Sequence, residues 1–381
     1  MVNSTLSLTL TLTNWHTEST ENAGNMVQPM DNDYNIRLMK ALYGDAIILN
    51  CHKGSEEGIV VVDGGPNKDC RKIVAEFDKL GTIGLMVLTH YDLDHIGGIL
   101  AYISKHKDDK PFPVKEIWCN CAYEVPIADS KDISYGHAKK LADLLTTINE
   151  NLRENGFPEV SWQKSLVAGQ TYHRPFADFF ILSPEEGVKA ENDKQYQKEI
   201  ANISNSHKRQ KDALLKSLEE LSVNPKDDPS TSNRSELVNW SSIAFYVSCD
   251  NMKALMLGDS YPETVVKSLH TFGFSEEDKL NVDYFKVSHH GSRNNISNDL
   301  LDRIDCDQYL FSTNGGLGTA CHPDRETIGN ILYHKNRDWS REIKLYFNYC
   351  QSTIEGNGYK FLNEGEEESG KFKSVFNTER I

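Results

Sequence analysis

Long apolar runs are missing from this chain of 381 residues. No stretch of about 18 consecutive apolar residues occurs, so no segment reads as a transmembrane helix. The opening MVNSTLSLTLTLTNWHTEST has neither a basic start nor a long apolar centre, which argues against a secretory leader. Positive charge is also short: 41 Lys+Arg stand against 56 Asp+Glu, a formal charge of -15. Such a balance disfavours broad attraction to nucleic acid or to an anionic membrane, but leaves room for a metal to supply positive charge locally. Closely spaced cysteines are scarce. Of the eight, only Cys119 and Cys121 are near neighbours, and no zinc-ribbon spacing appears. They read as mostly reduced thiols of a cytoplasmic protein. Periodicity is absent from residues 1–33, which read as a flexible polar tail.

What is present begins at residue 36. Strand-like runs fall at 36–40, 46–50 and 58–62, the last leading into Asp63-Gly64-Gly65. A helix is expected over 68–80, then a buried strand over 84–89. That strand ends in His90-Tyr91-Asp92-Leu93-Asp94-His95-Ile96-Gly97-Gly98, where the glycine pair is expected to open a helix to about 105. A strand at 116–120, a helix over 135–155 and a strand at 177–182 follow; Leu141, Leu144, Leu145, Ile148 and Leu152 share one face of the helix. Residues 186–233, charged and then turn-rich, read as a helical insertion whose charges form a solvated face, and which by its place beyond the core motifs could lid the site or meet a partner protein. Strands return at 242–247 and 253–257 as a hairpin, then at 284–288, 309–313 and 344–347, with helices over 262–270 and 325–334 between them. Strands, helices and strands again in both halves predict an α/β fold of two sheets packed together with helices outside, in one domain over 34–381.

The His90–His95 loop carries the chemistry. Its two imidazoles and two carboxylates lie within six residues after an apolar strand. That spacing can aim two pairs of ligands at neighbouring metal positions, and imidazole with carboxylate suits Zn, Mn or Fe(II). Asp94 alone would serve as a helix cap, but a cap accounts for one of the four side chains.

The loop resembles the signature of the metallo-β-lactamase fold superfamily, in the form with Asp at the second position. That form is similar to the hydrolase domain of the ComEC-type DNA-uptake proteins and their stand-alone relatives. Other segments agree in order: Tyr43-Gly44-Asp45-Ala46, Val62-Asp63-Gly64-Gly65-Pro66, Leu257-Gly258-Asp259-Ser260, Lys286-Val287-Ser288-His289-His290-Gly291-Ser292, and His322-Pro323. The resemblance covers roughly residues 36–350 and implies an αββα sandwich of two mixed sheets. It implies one or two divalent ions, Zn or Mn first among them, held by His90, Asp92, Asp94, His95, Asp259 and one or both of His289 and His290. Asp63 is implied to hold the loop by hydrogen bonds, and Asp259 to bridge the ions. Ser292 and His322 are expected to face the substrate, with His290 or His322 as proton donor and Asp94 essential to catalysis. The superfamily's usual third His is missing; Asn239-Trp240-Ser241-Ser242 stands in its place, so Asn239 is expected as a weak, neutral ligand. With Asp92 it would make the first position rich in oxygen and able to take Mn or Mg as readily as Zn.

The implied reaction is hydrolysis of a phosphodiester, in a nucleic acid or a small nucleotide, by water that the metals activate. A second reading is hydrolysis of a lactone, thioester or amide, which this fold also supports. A third is a regulatory subunit of a multi-protein bacterial system, such as anti-phage defence, docked through the insertion.

Overall fold

Alternation along the strands builds the architecture. The computed structural model describes residues 34–68, 70–120, 133–190, 213, 215–222, 237–316, 321–356 and 360–381. The expected tail at 1–33, most of the 186–233 insertion and Cys121 lie outside them. The first sheet contains β1 (Ile36–Leu38), β2 (Ile47–Lys53), β3 (Glu56–Val62), β4 (Leu85–Val87), β5 (Glu116–Trp118) and β6 (Ser161–Gln163), side by side in that order. β1, β2 and β3 pair antiparallel, and β3 to β6 pair parallel.

The second sheet is built from β7 (Thr171–Arg174), β8 (Ala177–Ser183), β9 (Ala244–Cys249), β10 (Met252–Met256), β12 (Tyr284–Lys286), β14 (Gln308–Phe311), β15 (Ile343–Phe347) and β16 (Phe372–Val375). Their spatial order is β16-β15-β14-β12-β10-β9-β8-β7. The β16 to β10 side is parallel and the β10 to β7 side antiparallel. β11 (Leu280–Asn281) and β13 (Ile304–Asp305) form a small separate ribbon. Both sheets are thus mixed, and helices flank them, as the family resemblance implies.

Period two sends alternate side chains to opposite faces. From β10, Ala254 and Met256 join Val60, Val62, Val87 and Trp118 of the first sheet in a buried core between the sheets. Leu255 and Leu257 point the other way and pack with Val265, Leu269, Ile328 and Ile331. Burying each such Leu or Ile contributes about 1.5–3 kcal/mol.

Several expectations shift. The glycine pair does not open the helix after the loop. In chain order the first three long helices are α1 (Cys70–Phe77), α2 (Leu93–His106) and α3 (Ile133–Glu154), so Asp94 and His95 already lie in the first turn of α2. Gly97 and Gly98 sit inside it because the Asp63 loop presses there: a Cβ on Gly98 would lie 2.0 Å from the Gly64 carbonyl oxygen, and one on Gly97 2.3 Å from the Asn67 nitrogen. β6, β7 and β16 carry no clear alternation and were not expected. Within the insertion, α4 (Leu218–Ser222) packs on the helix Arg325–Leu332, where a Cβ on Gly329 would come 2.5 Å from the Leu218 carbonyl oxygen. Among the described residues six cysteines are free, as expected of reduced thiols, but Cys119 is disulfide-bonded. No described helix is long and apolar enough to cross a membrane.

Candidate metal centre

The candidate residues gather at the carboxyl ends of strands from both sheets. His90 follows β4, Asp259 follows β10 and the His289-His290 pair follows β12. Loops at these ends are where open α/β sheets place ligands.

Each of four imidazoles is held by its Nδ1. Asp63 Oδ2 lies 2.8 Å from His95 Nδ1, and a carboxylate can only accept, so Nδ1 carries the proton. His290 Nδ1 lies 2.9 Å from the Ser312 carbonyl oxygen and is likewise the donor. The amide of Asn295 donates to the Asp259 and Ser260 carbonyls at 3.1 and 3.2 Å. Its Oδ1 therefore faces His289 Nδ1, at 3.2 Å, as the acceptor. Thr89 Oγ1 donates to Asp63 Oδ2 at 2.7 Å, so it accepts from His90 Nδ1 at 3.1 Å. Nε2 is then the ring position each histidine has left to offer, and it is the lone pair there that a metal would take.

Those lone pairs converge on two carboxylates. Asp259 Oδ2 is 3.8 Å from His90 Nε2 and 3.6 Å from His289 Nε2, while its Oδ1 is 3.5 Å from His95 Nε2. Asp94 Oδ2 is 3.9 Å from His95 Nε2 and 3.7 Å from His290 Nε2. Asp92 Oδ2 stands 3.8 Å from His90 Nε2. Ligand atoms of His90, His95 and Asp259 lie within 4.8 Å of one another, and so do those of Asp94, His95 and His290. His90 Nε2, His95 Nε2, His290 Nε2 and Asp259 Oδ1 are buried with no hydrogen-bond partner. Orphaned polar atoms are costly in a protein interior, and divalent ions would satisfy all four. The donor set therefore fits one or two such ions, with Asp259 facing both positions.

Charge and burial pull these groups apart. Burial opposes ionisation of His95, but Asp259, Asp63 and Asp94 outweigh it and hold the imidazole well above its ordinary value. Burial, with His95 beside it, pushes His90 down to about 4. Burial works against ionised Asp259 too, yet His289, His95 and His90 keep its carboxyl well below the usual range.

The backbone aids the aim. His289 and His290 have φ of 48° and 56°, and Asp63 has 61°, a left-handed region that costs non-glycine residues energy and clusters at functional sites. The two histidines diverge because of this turn. His290 joins the Asp94–His95 group, and His289 faces the Asp259 oxygen that His90 also faces.

Other candidates fall outside the cluster. Asn239 is buried in α5 (Leu237–Trp240), where its carbonyl accepts from Ser242 N, and its side chain makes no hydrogen bond or ion pair with the cluster among the described residues. The short helix turns it away. Ser242, three residues on, takes the contact: its Oγ lies 3.5 Å from His90 Nδ1 and accepts from Asp259 N at 3.0 Å. Ser292 Oγ caps a local turn by accepting from Asn294 N at 3.3 Å. His322 lies at the rim, with its ring 5.5 Å from that of His289 and its Nδ1 3.3 Å from Asp324 Oδ2. Trp240 and Tyr261, both half-buried, meet with ring centroids 4.6 Å apart and planes tilted by 32°, on the chain segments that carry Ser242 and Asp259. Asp45, Thr89, Ser242, Lys286, Asn295 and Ser312 had no assigned role in the sequence; a lysine within the apolar run Tyr284-Phe285-Lys286-Val287 was the one local signal.

A two-sheet α/β sandwich with a His/Asp cluster at its strand ends is a metal-binding scaffold. Residues 41–164 match the model of the Metallo-beta-lactamase superfamily, and the two mixed sheets flanked by helices are that superfamily's fold. No curated protein matches the chain in sequence. Among solved structures it is similar to the metallo-beta-lactamase fold protein YhfI from Bacillus subtilis, at 8% identity over 90% of this chain and 95% of that one, with a TM-score of 0.37. It is also similar to Zn(2+)-bound PqqB from Methylobacterium extorquens, at 12% identity over 87% and 85%, TM-score 0.38. A third is CmlA, a diiron beta-hydroxylase from Streptomyces venezuelae, at 12% identity over 90% of this chain and 53% of that one, TM-score 0.38.

Proposed function

We propose that this protein is a metal-dependent hydrolase of phosphodiesters, acting in the cytoplasm on a single-stranded nucleic acid or a small nucleotide. The observation that carries the reading is the convergence of four Nε2 lone pairs on Asp94 and Asp259. His90, Asp92, Asp259 and His289 would hold one divalent ion, and Asp94, His95, His290 and Asp259 the other, Zn or Mn. Bound there, such ions lower the pKa of a water and neutralise a phosphoryl oxygen. Asp63, Thr89, Ser312 and Asn295 orient the ligating rings through the Nδ1 contacts. His322, backed by Asp324, is placed to exchange a proton with the leaving oxygen. The hydroxyl of Ser292 is free to donate to an anionic oxygen, since its Oγ accepts from Asn294. A chain of charge -15 suits a small or single-stranded anion, with the metals rather than a basic surface meeting its phosphate. Asp92 and the Lys286–Ser292 motif support placing the chain with the ComEC-type subgroup.

Purified protein loaded with Mn or Zn is expected to cleave bis(p-nitrophenyl) phosphate, and the Asp94→Ala variant is not. Cleavage of lactones, thioesters or amides alone would sink the phosphodiester reading. Failure to bind metal on reconstitution would favour a regulatory subunit that meets its partner through the insertion.

A further inference from the structure

We infer that the buried Asp45–Lys286 ion pair is a positioning device for one of the two metal positions, the one formed by Asp94, His95 and His290. The inference rests on the metal-centre reading but not on the substrate. Asp45 and Lys286 are each 1% exposed, with Lys286 Nζ 2.8 Å from Asp45 Oδ2. Desolvating two charges offsets most of their attraction, so a buried pair is weak evidence of a stabilising role. Its surroundings point to another role.

Asp45 touches the Asp94–His95–His290 group repeatedly. Its amide donates to the Asp94 carbonyl at 3.3 Å. Its Oδ1, which has no hydrogen-bond partner, lies 3.4 Å from His290 Nδ1. Its carboxylate is also within 4.8 Å of a His95 ring nitrogen. The backbone closes the loop: Ser312 accepts from His290 Nδ1 through its carbonyl and donates from Oγ to the Gly44 carbonyl at 3.0 Å. Lys286 Nζ is tethered in turn to the Val287 carbonyl at 2.9 Å. No hydrogen bond or ion pair of Asp45 reaches His90 or His289 among the described residues.

A carboxylate behind Nδ1–H raises the basicity of Nε2 on the far side of the ring. Lys286 holds Oδ2 of that carboxylate and leaves Oδ1 facing the imidazole. Asp45, Asp63 and His95 do not form a third ion site. Asp45 Oδ2 is held by Lys286, and both Asp63 oxygens are held by Thr89 and His95.

The test counts bound metal and titrates Zn and Mn into the wild type, into Asp45→Asn/Lys286→Met, which removes both charges together, and into Asp45→Glu. The double variant is expected to fold, to keep the first ion with unchanged affinity, and to bind the second about 10–100-fold more weakly. Asp45→Glu keeps the charge and is expected to recover part of that loss, which a folding defect would not. Unchanged affinity for both ions in the double variant, or equal loss at both, overturns the inference. Should the double variant not fold, the same titration of Asp45→Glu decides: a deficit confined to the second ion supports the inference, and none or an equal one overturns it. A protein that binds both ions and cleaves no phosphodiester refutes the proposed function and leaves this inference standing.

Discussion

Asp63 and His95 are joined at 2.8 Å, with both side chains fully buried and the same carboxylate also holding Thr89 through its amide and its hydroxyl. One side chain thus fixes the ring of a candidate ligand and the start of the loop that carries the others. Asp63→Asn is expected to keep the fold and to bind metal about 10–100-fold more weakly, because a neutral amide cannot anchor Nδ1–H as well. Asp63→Ala leaves buried donors on Thr89 unpaired and should also lose about 1–3 kcal/mol of stability for each. Metal titration and thermal unfolding separate the two effects; wild-type affinity in Asp63→Asn would refute the anchoring role.

The two glycines of the loop are tightly packed, and that gives a contrast between two substitutions. Gly98→Ala would place a methyl group 2.0 Å from the Gly64 carbonyl oxygen. Overpacking of this kind costs about 1–3 kcal/mol or more, and the displacement would reach the Asp63 loop. Gly136 in α3 meets nothing within 4 Å, so Gly136→Ala is expected to stabilise by about 0.5–1 kcal/mol through helix propensity. Denaturant melts of both variants check the signs.

Cys350 should be the most reactive described thiol near neutral pH. Ser352 Oγ at 3.3 Å and Thr353 Oγ1 at 3.0 Å stabilise its thiolate and bring the group down to about 7. A thiol lowered in this way is mostly protonated below that pH and mostly thiolate above it. Alkylation at Cys350 should therefore rise between about pH 6 and 8 and then level off, whereas an ordinary thiol near 8.5 is still rising there. Burial pushes Cys306 up and leaves it inert. Peptide mapping after brief iodoacetamide pulses measures this, and faster labelling at Cys70 would contradict it.

Trp240 and Tyr261 pack ring against ring, close in the chain to Ser242 and Asp259, and stay half-buried. If the substrate carries a nucleobase, Trp240→Ala should raise KM for a nucleotide diester by roughly 5–100-fold, since base stacking contributes about 1–3 kcal/mol. It should leave kcat for a diester without rings little changed. An equal effect on both substrates would remove the stacking role.

Much of this centre was legible locally. His90, Asp94, His95, Asp259 and the double histidine stand at strand ends, and strand ends can be read from alternation. Two packed sheets with helices outside followed from the order of strands and helices, whereas that both sheets are mixed was implied by the family resemblance. What escaped depended on distance or on unusual backbone. Asp45 and Lys286 meet from far apart in the chain, and nothing near either marks the other as its partner. Ser242, not Asn239, reaches His90, because a short helix ends between them. The helix start at Leu93 was misplaced because Gly97-Gly98 reads locally as a break, whereas it makes room for the Gly64 backbone.

The sequence by itself determined which side chains are available for metal chemistry and that they follow apolar strands. Those are properties of residue type and of period two, and both are local. Only the tertiary structure decided which imidazole serves which position. That choice rests on the left-handed turn at His289-His290 and on the acceptors behind each Nδ1, from Asp63, Thr89, Asn295 and Ser312. Ring orientation is set partly by near neighbours, Thr89 behind His90 and Asn295 behind His289, and partly by residues brought over from the adjoining strand, Asp63 behind His95 and Ser312 behind His290. Only the folded strands and their turns place those acceptors.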